Sequence, residues 1–228
     1  MRRKADSKQK SYLDLKKFSE SLGTDLFGAA DIGGIKKDFL LSPKVLESLD
    51  KAVCLGVRLS ETVLEEIDRQ PTRLYFHHYR TVNAFLDQAA LSVAHYIQNK
   101  GSSALPIPAS QIVDWENQKA HLSHRKIGFL AGLGWIGRNN LLVNKKLGSQ
   151  FRLVTILTDM PLKTDEPTKE DCRVCRLCVQ ACPAQAIGEK TSEFDFQKCF
   201  AKLKEFQKQR LVDQYICGVC VKACKGKS

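Results

Sequence analysis

The spacing of apolar side chains predicts alternating helices and strands over roughly the first 160 residues. Residues 11–22 repeat apolar positions at a helical period, and residues 73–100 form a longer amphipathic helix that stops at Gly101. Residues 25–30 and 52–59 have the short, continuous apolar pattern of buried strands. The inward-facing positions predicted for the long helix are Leu74, Val82, Phe85, Leu86, Ala89, Val93 and Ile97.

The second half of this region contains shorter predicted elements. Ser42 and Pro43 are typical N-cap and N1 residues of a short helix that reaches residue 49. The proline-rich residues 105–110 predict a connector, and residues 119–130 a second helix. Strand patterns at 140–144 and 151–158 flank a predicted hairpin turn at 145–148. A charged linker follows at about 160–171, so we expect an α/β (α+β) domain at 1–163 and a small metal domain at 164–228.

Composition indicates an ordinary folded protein with a basic surface. Of the 228 residues, 43% are hydrophobic and 27% charged, and Lys and Arg outnumber Asp and Glu by 36 to 25. The longest uncharged apolar run, residues 127–137, is too short to cross a bilayer, and no apolar segment follows the N-terminal arginines. We therefore expect a cytoplasmic protein without a membrane partner, in a compartment where thiols stay reduced.

Eight of the nine cysteines lie between residues 172 and 224. Cys172, Cys175, Cys178 and Cys182-Pro183 reproduce the spacing of bacterial ferredoxins, in which the fourth cysteine ligates a second cluster. By the same pseudo-symmetry, Cys224 should return to the first cluster. The predicted ligands of [4Fe–4S] cluster 1 are Cys172, Cys175, Cys178 and Cys224, and those of cluster 2 are Cys182, Cys199, Cys217 and Cys220.

Other roles for these cysteines fit the spacing less well. A structural zinc site uses two separated cysteine pairs, whereas this run places too many thiols too close together. Cys54 lies in an apolar strand, which favours a buried structural role. Two clusters in a chain of this size predict electron transfer within a small di-cluster, ferredoxin-like domain.

Two further patterns concern ligand binding. Gly132, Gly134 and Gly137 match GxGxxG, but a helical pattern precedes them and a strand pattern follows, the reverse of a dinucleotide site. Close packing beside another ligand is the better interpretation. Residues 117–158 contain no Asp or Glu, which is typical either of a solvated basic face or of a surface for phosphate or RNA.

A longer stretch carries a family resemblance. HRKIGFLAGLGWIGRNNLLVNKKLGSQFRLVTILTDMPL, then CRVCRLCVQACPAQAI and the later cysteines, resembles the epoxyqueuosine reductase family, which is similar to the core of reductive dehalogenases. The resemblance implies a domain like the flavin nitroreductases that binds base-off cobalamin, with two [4Fe–4S] clusters as electron inlet and a modified tRNA base as substrate. The implied corrinoid-facing wall is Gly134, Trp135, Ile136, Gly137, Arg138 and Asn139.

The resemblance also directs attention to a proton donor and to partners. Asp114 is the candidate catalytic acid because the segment before AGLGW carries the donor in the family, and His121 or His124 would be next. The implied partners are an external low-potential electron donor of the ferredoxin or flavodoxin type, and tRNA. Two alternatives stay open, namely a non-catalytic electron carrier and a corrinoid-handling or reactivating protein.

Overall fold

The computed structural model describes residues 2–226, with side chains from residue 5 onward. The helices are α1 (Arg2–Ser21), α2 (Pro43–Leu46), α3 (Glu61–Glu65), α4 (Arg73–Asn99), α5 (His124–Leu130), α6 (Leu177–Ala181), α7 (Phe196–Lys208) and α8 (Val219–Ala223). The strands are β1 (Leu26–Asp31), β2 (Lys51–Arg58), β3 (Ala104–Ile107), β4 (Trp135–Ile136), β5 (Leu142–Val143) and β6 (Phe151–Thr158).

The described chain divides into two compact units. Residues 2–57, 83–133 and 152–168 form one, which we call the sheet unit. Residues 58–82, 134–151 and 169–226 form the other, which we call the cysteine unit. Both units are discontinuous in sequence, because α4 contributes its first ten residues to the cysteine unit and the remainder to the sheet unit.

The sheet unit is built on a four-stranded sheet in the order β1-β2-β6-β3. Strands β1 and β2 are antiparallel, with Ala29 opposite Val53, and β3 is antiparallel to β6. Strand β6 is buried along nearly its whole length, as its continuous apolar pattern predicts. Leu15, Leu55 and Leu86, from α1, β2 and α4, are fully buried and contribute to the core of this unit.

The predicted mixed α/β fold is confirmed, and most elements lie where periodicity predicts them. Helix α4 ends at Asn99 and is followed by Gly101 at a positive φ of 80°, the conformation that stops a helix. Ser42 caps α2, its hydroxyl accepting the N–H of Val45. Leu74 is an exception, because it is 53% exposed in the first turn of α4 rather than inward-facing.

Three local predictions were wrong. Residues 105–107 of the predicted connector belong to β3, an edge strand in which the absent N–H of Pro106 is tolerated. The helix predicted from residue 119 begins at His124, where Ser123 caps it by accepting the N–H of Lys126. The strand at 140–144 shortens to β5, which pairs with β4 rather than with the strand after the turn.

The compact units follow a different partition from the predicted boundary between residues 163 and 164. The main-chain N–H of Asp165 donates to Ala29 O at 2.7 Å, and its carboxylate accepts the Ala29 N–H and the Tyr12 hydroxyl. The predicted linker therefore belongs to the sheet unit as far as Thr168. Within the described residues, no helix is long and apolar enough to span a membrane.

Candidate metal centre

The eight clustered cysteines lie on short helices and the loops around them. Cys172 and Cys175 precede α6, Cys178 lies within it, and Cys182 is its C-cap. Cys199 lies on α7, Cys217 precedes α8, Cys220 lies within α8, and Cys224 is its C-cap. All eight belong to the cysteine unit.

One set of mutually interacting thiols surrounds Cys178. Burial, together with the charges of the neighbouring thiols of Cys224, Cys172 and Cys175, raises the pKa of the Cys178 thiol to about 11. Burial likewise raises the pKa of Cys224, with Cys172 adding to the shift. These are the four residues that the ferredoxin spacing assigns to cluster 1.

A second set surrounds Cys220. Burial raises the pKa of this thiol well above its usual value, and repulsion from Cys217, Cys199 and Cys182 adds to the shift. Burial also raises the pKa of Cys199 and Cys217 to about 11. The charge of Cys178 also acts on Cys220, so the two sets lie close to one another.

The donor chemistry of the two sets fits an iron–sulfur cluster. Four half-buried or buried thiols repel one another as thiolates, and bound iron removes this cost because it neutralises the sulfur charges. Among the described residues, no three His, Cys, Asp or Glu side chains converge on a point that could hold a single metal ion. A cubane cluster does not need such a point, since each of its four cysteines binds a different iron.

Hydrogen-bond donors are directed at sulfur atoms in both sets. The indole Nε1–H of Trp135 donates to Cys172 Sγ at 3.3 Å. The Ala186 N–H donates to Cys182 Sγ at 3.4 Å, and Ser149 hydrogen-bonds to the Cys224 thiol. Such donors stabilise sulfur in its charged form, which is how proteins adjust iron–sulfur sites.

The turn at residues 134–139, predicted to face a corrinoid, makes its side-chain contacts with the cysteine unit itself. The Arg138 guanidinium donates to the carbonyl oxygens of Glu189 at 2.5 Å, Cys175 at 3.0 Å and Arg173 at 2.6 Å. Asn139 is buried and its amide donates to Ser149 Oγ at 3.2 Å. The corrinoid role of Gly134, Trp135, Ile136, Gly137, Arg138 and Asn139 stays a prediction.

The glycines of this turn are required by the surrounding protein. A Cβ on Gly134, just before β4, would lie 2.0 Å from the carbonyl oxygen of Val143, the residue of β5 that pairs with Trp135. A Cβ on Gly137 would meet the Val143 side chain at 2.6 Å and Cys172 Sγ at 3.3 Å. The GxGxxG pattern thus allows this turn to pack closely against β5 and against the loop that carries Cys172. Helix α5 precedes the pattern and β4 lies within it.

Sequence reasoning missed the roles of Trp135 and Arg138 toward the cysteine loop. Both side chains act on residues about 37 positions later, and no local periodicity encodes such contacts. The sequence did contain one clue, which is that Trp135 and Arg138 each follow a glycine in a segment without any acidic residue.

The candidate acid Asp114 lies in a loop of the sheet unit that is closed by a bridge between Asp114 and Lys119. Its carboxylate accepts the main-chain N–H and the side-chain amide of Asn117 at 2.9 Å each. These bonds lower the pKa of Asp114 below its usual value. The same loop exposes Trp115, of which 66% is accessible.

The two candidate histidines are engaged with the protein. His124 Nε2 lies 2.9 Å from the carbonyl oxygen of Pro108, which can only accept, so this nitrogen carries the proton and Nδ1 accepts the Thr155 hydroxyl at 2.8 Å. Burial lowers the pKa of His124 to about 4. His121 Nδ1 lies 3.0 Å from Leu40 O. His124 is therefore a neutral structural residue.

The basic stretch at 117–158 is partly neutralised by its neighbours. Lys126 pairs with Asp38 at 2.7 Å in the sheet unit, and Lys145 pairs with Glu170 at 3.0 Å in the cysteine unit. Arg152 donates to Asn83 Oδ1 at 3.0 Å. Lys146 forms no ion pair with any residue the structure describes, and lies at the tip of the turn between Asn144 and Gly148.

Cys54 stands apart from the eight clustered cysteines. It is fully buried in β2, where burial raises the pKa of its thiol to about 12. A buried thiol with so high a pKa is unreactive, in agreement with the structural role predicted for it.

Comparison with solved structures identifies proteins that share this fold. A catabolic reductive dehalogenase aligns over 94% of this chain and 32% of its own, with a TM-score of 0.74 and 19% identity. The epoxyqueuosine reductase of Streptococcus thermophilus aligns over 93% of this chain and 65% of its own, with a TM-score of 0.62 and 19% identity. The fold is thus one that reductive dehalogenases and epoxyqueuosine reductases share.

Sequence comparison also finds epoxyqueuosine reductases among the relatives of this chain. No protein-family model matches the chain. The epoxyqueuosine reductase of Cyclobacterium marinum is 28% identical over 242 aligned residues, which cover 92% of this chain and 77% of that protein. The predicted resemblance to the epoxyqueuosine reductase family is confirmed, and these relatives are reductases.

Proposed function

We propose that the protein is an iron–sulfur reductase of the epoxyqueuosine reductase type, in which eight cysteines hold two [4Fe–4S] clusters that feed electrons to a corrinoid. The observation that carries the proposal is the division of the eight thiols into two interacting sets of four. When bound, the clusters supply one-electron transfer and the corrinoid supplies the reduction of the substrate.

The residues around the thiols support this assignment. Trp135 and Ala186 donate hydrogen bonds to cysteine sulfurs, and Arg138 holds two carbonyl oxygens of the loop that carries Cys172 and Cys175. Fixed donors of this kind keep the ligands in place while the charge on the site changes. We propose that the sequence from residue 172 to residue 224 forms a di-cluster site of the bacterial ferredoxin type.

The proposals of a corrinoid cofactor and of a tRNA substrate are based on the similar proteins. One structural relative is a dehalogenase described as B12-dependent, and an epoxyqueuosine reductase relative binds an epoxyqueuosine-modified tRNA stem loop. We propose a nitroreductase-like corrinoid domain here, with base-off cobalamin beside residues 134–139 and epoxyqueuosine in tRNA as the substrate. An external low-potential electron carrier of the ferredoxin or flavodoxin class completes the proposed reaction, in the cytoplasm.

Asp114 is the proposed proton donor. In the free protein its carboxylate is held by Asn117, which favours the ionised form. Donation therefore requires the carboxyl group to gain a proton when substrate covers the loop, because burial favours the neutral acid. A related epoxyqueuosine reductase from Bacillus subtilis has been captured with its catalytic aspartate loop swung out of the active site, which supports a mobile donor.

Anaerobic reconstitution with iron and sulfide tests the cluster assignment. We expect about eight irons per chain, because each [4Fe–4S] cluster contributes four. Cys175→Ala and Cys220→Ala should each impair a different cluster, distinguished by electron paramagnetic resonance. Cys54→Ser is the matched control and should retain the full content. A wild-type content of four irons, or a loss of iron in Cys54→Ser, would contradict the assignment.

Cobalamin binding and turnover test the remaining parts of the proposal. The reconstituted protein should shift the visible spectrum of added cobalamin and should reduce epoxyqueuosine in a tRNA stem loop with a chemical reductant. A protein that exchanges electrons but leaves the cobalamin spectrum unchanged would be an electron carrier. A protein that binds cobalamin without turning over the stem loop would instead handle corrinoids.

A further inference from the structure

Trp135 is buried in β4, and its indole N–H is directed at a single cysteine sulfur. Only 5% of the residue is exposed, and Nε1 lies 3.3 Å from Cys172 Sγ. An indole nitrogen can donate but cannot accept, so Cys172 is the acceptor of this bond. The bond thus places the positive end of an N–H dipole against one ligand of the proposed cluster 1.

The surrounding structure fixes both ends of this bond. Trp135 is paired with Val143 across β4 and β5, and Gly137 packs so tightly that a Cβ there would reach Cys172 Sγ at 3.3 Å. On the other side, Arg138 holds the main chain of Arg173 and Cys175 through their carbonyl oxygens. The indole and the sulfur are therefore preorganised, and the N–H need not move when the charge on the sulfur changes.

We infer that Trp135 is a positioning residue that raises the reduction potential of the iron–sulfur cluster held by Cys172, Cys175, Cys178 and Cys224. The inference rests on the proposed function, because it requires a cluster at these cysteines. Reduction adds one electron to the cluster and increases the negative charge on its sulfurs, while the indole gains and loses nothing. A hydrogen bond to a charged sulfur strengthens as that charge grows, so it favours the reduced form.

Replacing Trp135 by phenylalanine separates the effect of the hydrogen bond from that of packing, because phenylalanine keeps an apolar ring and lacks the N–H. Trp115, the other tryptophan of the chain, lies 66% exposed in the Asp114 loop and gives the matched control. Trp135→Phe should change the potential of one cluster, whereas Trp115→Phe should change neither. Iron content should stay the same in both variants.

A redox titration of the reconstituted full-length protein, followed by electron paramagnetic resonance, tests the inference. In Trp135→Phe, the ratio of reduced to oxidised cluster 1 at a fixed applied potential should fall roughly threefold to tenfold, since only part of the energy of a hydrogen bond to a charged group differs between the two redox states. Cluster 2 should titrate as in the wild type. An unchanged or increased ratio for cluster 1 would overturn the inference.

A second measurement uses the wild type, in case Trp135→Phe loses iron. Protein labelled with ¹⁵N-tryptophan should show a ¹⁵N hyperfine coupling to reduced cluster 1, and Trp115→Phe should retain it. Clusters that form without this coupling would overturn the inference while leaving the proposed function intact. A wild type that forms no cluster at all would overturn both.

Discussion

Asp114 and His124 are titratable residues of the sheet unit whose surroundings give them opposite roles. Asp114 lies in an exposed loop where Asn117 stabilises its charge, so its protonation can respond to a ligand. His124 is hydrogen-bonded to Pro108 and Thr155 in its neutral form. The first remains the proposed proton donor, and the second belongs to the framework that supports α5.

Replacing Asp114 by asparagine should lower turnover of an epoxyqueuosine stem loop by about 10²- to 10⁴-fold, the usual contribution of a general acid. Because the pKa of Asp114 is lowered in the free protein, kcat/KM of the wild type should fall as pH rises through the neutral range. Asp114→Asn should lose this dependence. The measurement is a pH profile of kcat/KM, with iron content recorded in parallel.

Glu116→Gln, in the same loop, is the control for the Asp114 substitution and should keep the wild-type profile. Full activity in Asp114→Asn would show that the proton comes from another group.

His124 should make stability depend on pH. Its pKa is about 4 in the folded protein and 6.5 when unfolded, so the unfolded state binds the proton first as pH falls. The contribution of His124 to the free energy of unfolding is complete above pH 6.5 and is lost as the pH falls toward about 4. Between pH 7 and pH 5 the loss should be about 2 kcal/mol in the free energy of unfolding.

His124→Asn should show a correspondingly smaller change in unfolding free energy between pH 7 and pH 5, measured by urea denaturation. Comparison with the wild type subtracts the pH dependence of all other groups. Equal slopes in the two proteins would mean that His124 is protonated in the fold.

Among the secondary-structure elements, those with long apolar periods could be predicted from sequence. Helix α4 and strand β6 lie almost where their patterns place them, because each buries a continuous face whose spacing is set by the backbone. The two-residue strands β4 and β5 are too short to have a period. Their pairing depends on the close approach at Gly134, which only the folded chain reveals.

In the candidate site, too, the residues close together in sequence could be predicted, whereas those brought together by folding could not. The ferredoxin spacing is local, so the grouping of Cys172, Cys175 and Cys178 could be predicted from sequence. Trp135 and Arg138 reach the cysteine loop from a separate segment, and their partners could not be predicted. Proline in β3 was misread because tolerance of proline depends on an edge position, which sequence alone does not reveal.

The turn at residues 145–148 offers a test of RNA binding. If it faces tRNA, Lys146→Ala should reduce by about one the slope of log affinity against log salt concentration, because one phosphate contact is lost. Lys145→Ala should have a smaller effect, since Lys145 already pairs with Glu170. Binding of a tRNA stem loop at several salt concentrations measures both slopes.

Lys44→Ala, on α2 in the sheet unit, is a control that removes an exposed lysine outside residues 145–148. An unchanged slope in Lys146→Ala would return the turn to the role of a solvated basic surface.

For the molecule as a whole, the cysteine unit draws on three separate parts of the chain. Lys222 Nζ donates to the carbonyl oxygens of Glu65 and Ile67, and Gln150 donates to Lys222 O. Residues 58–82 and 134–151 thus support α8, which carries Cys220. A boundary at residue 163 separates the cysteines from this support.

A fragment of residues 164–228 should therefore hold less iron than the full chain after identical anaerobic reconstitution. It lacks Trp135, Arg138 and Ser149, which donate hydrogen bonds to cysteine sulfurs or to the cysteine loop. Iron analysis after gel filtration measures the difference, with the full-length chain as control. A fragment that retains eight irons would show that the boundary predicted from sequence is a true folding boundary.

The order in which the chain leaves the ribosome separates the two units in time. Every segment of the sheet unit has been synthesised by residue 168, whereas the thiol set that includes Cys172 is incomplete until Cys224 emerges. The sheet unit of a nascent chain can therefore fold before the last cysteine of this thiol set has been synthesised. For the cluster proposed at this set, iron–sulfur assembly factors would act only after translation has passed Cys224, because before then only three of its four thiols exist.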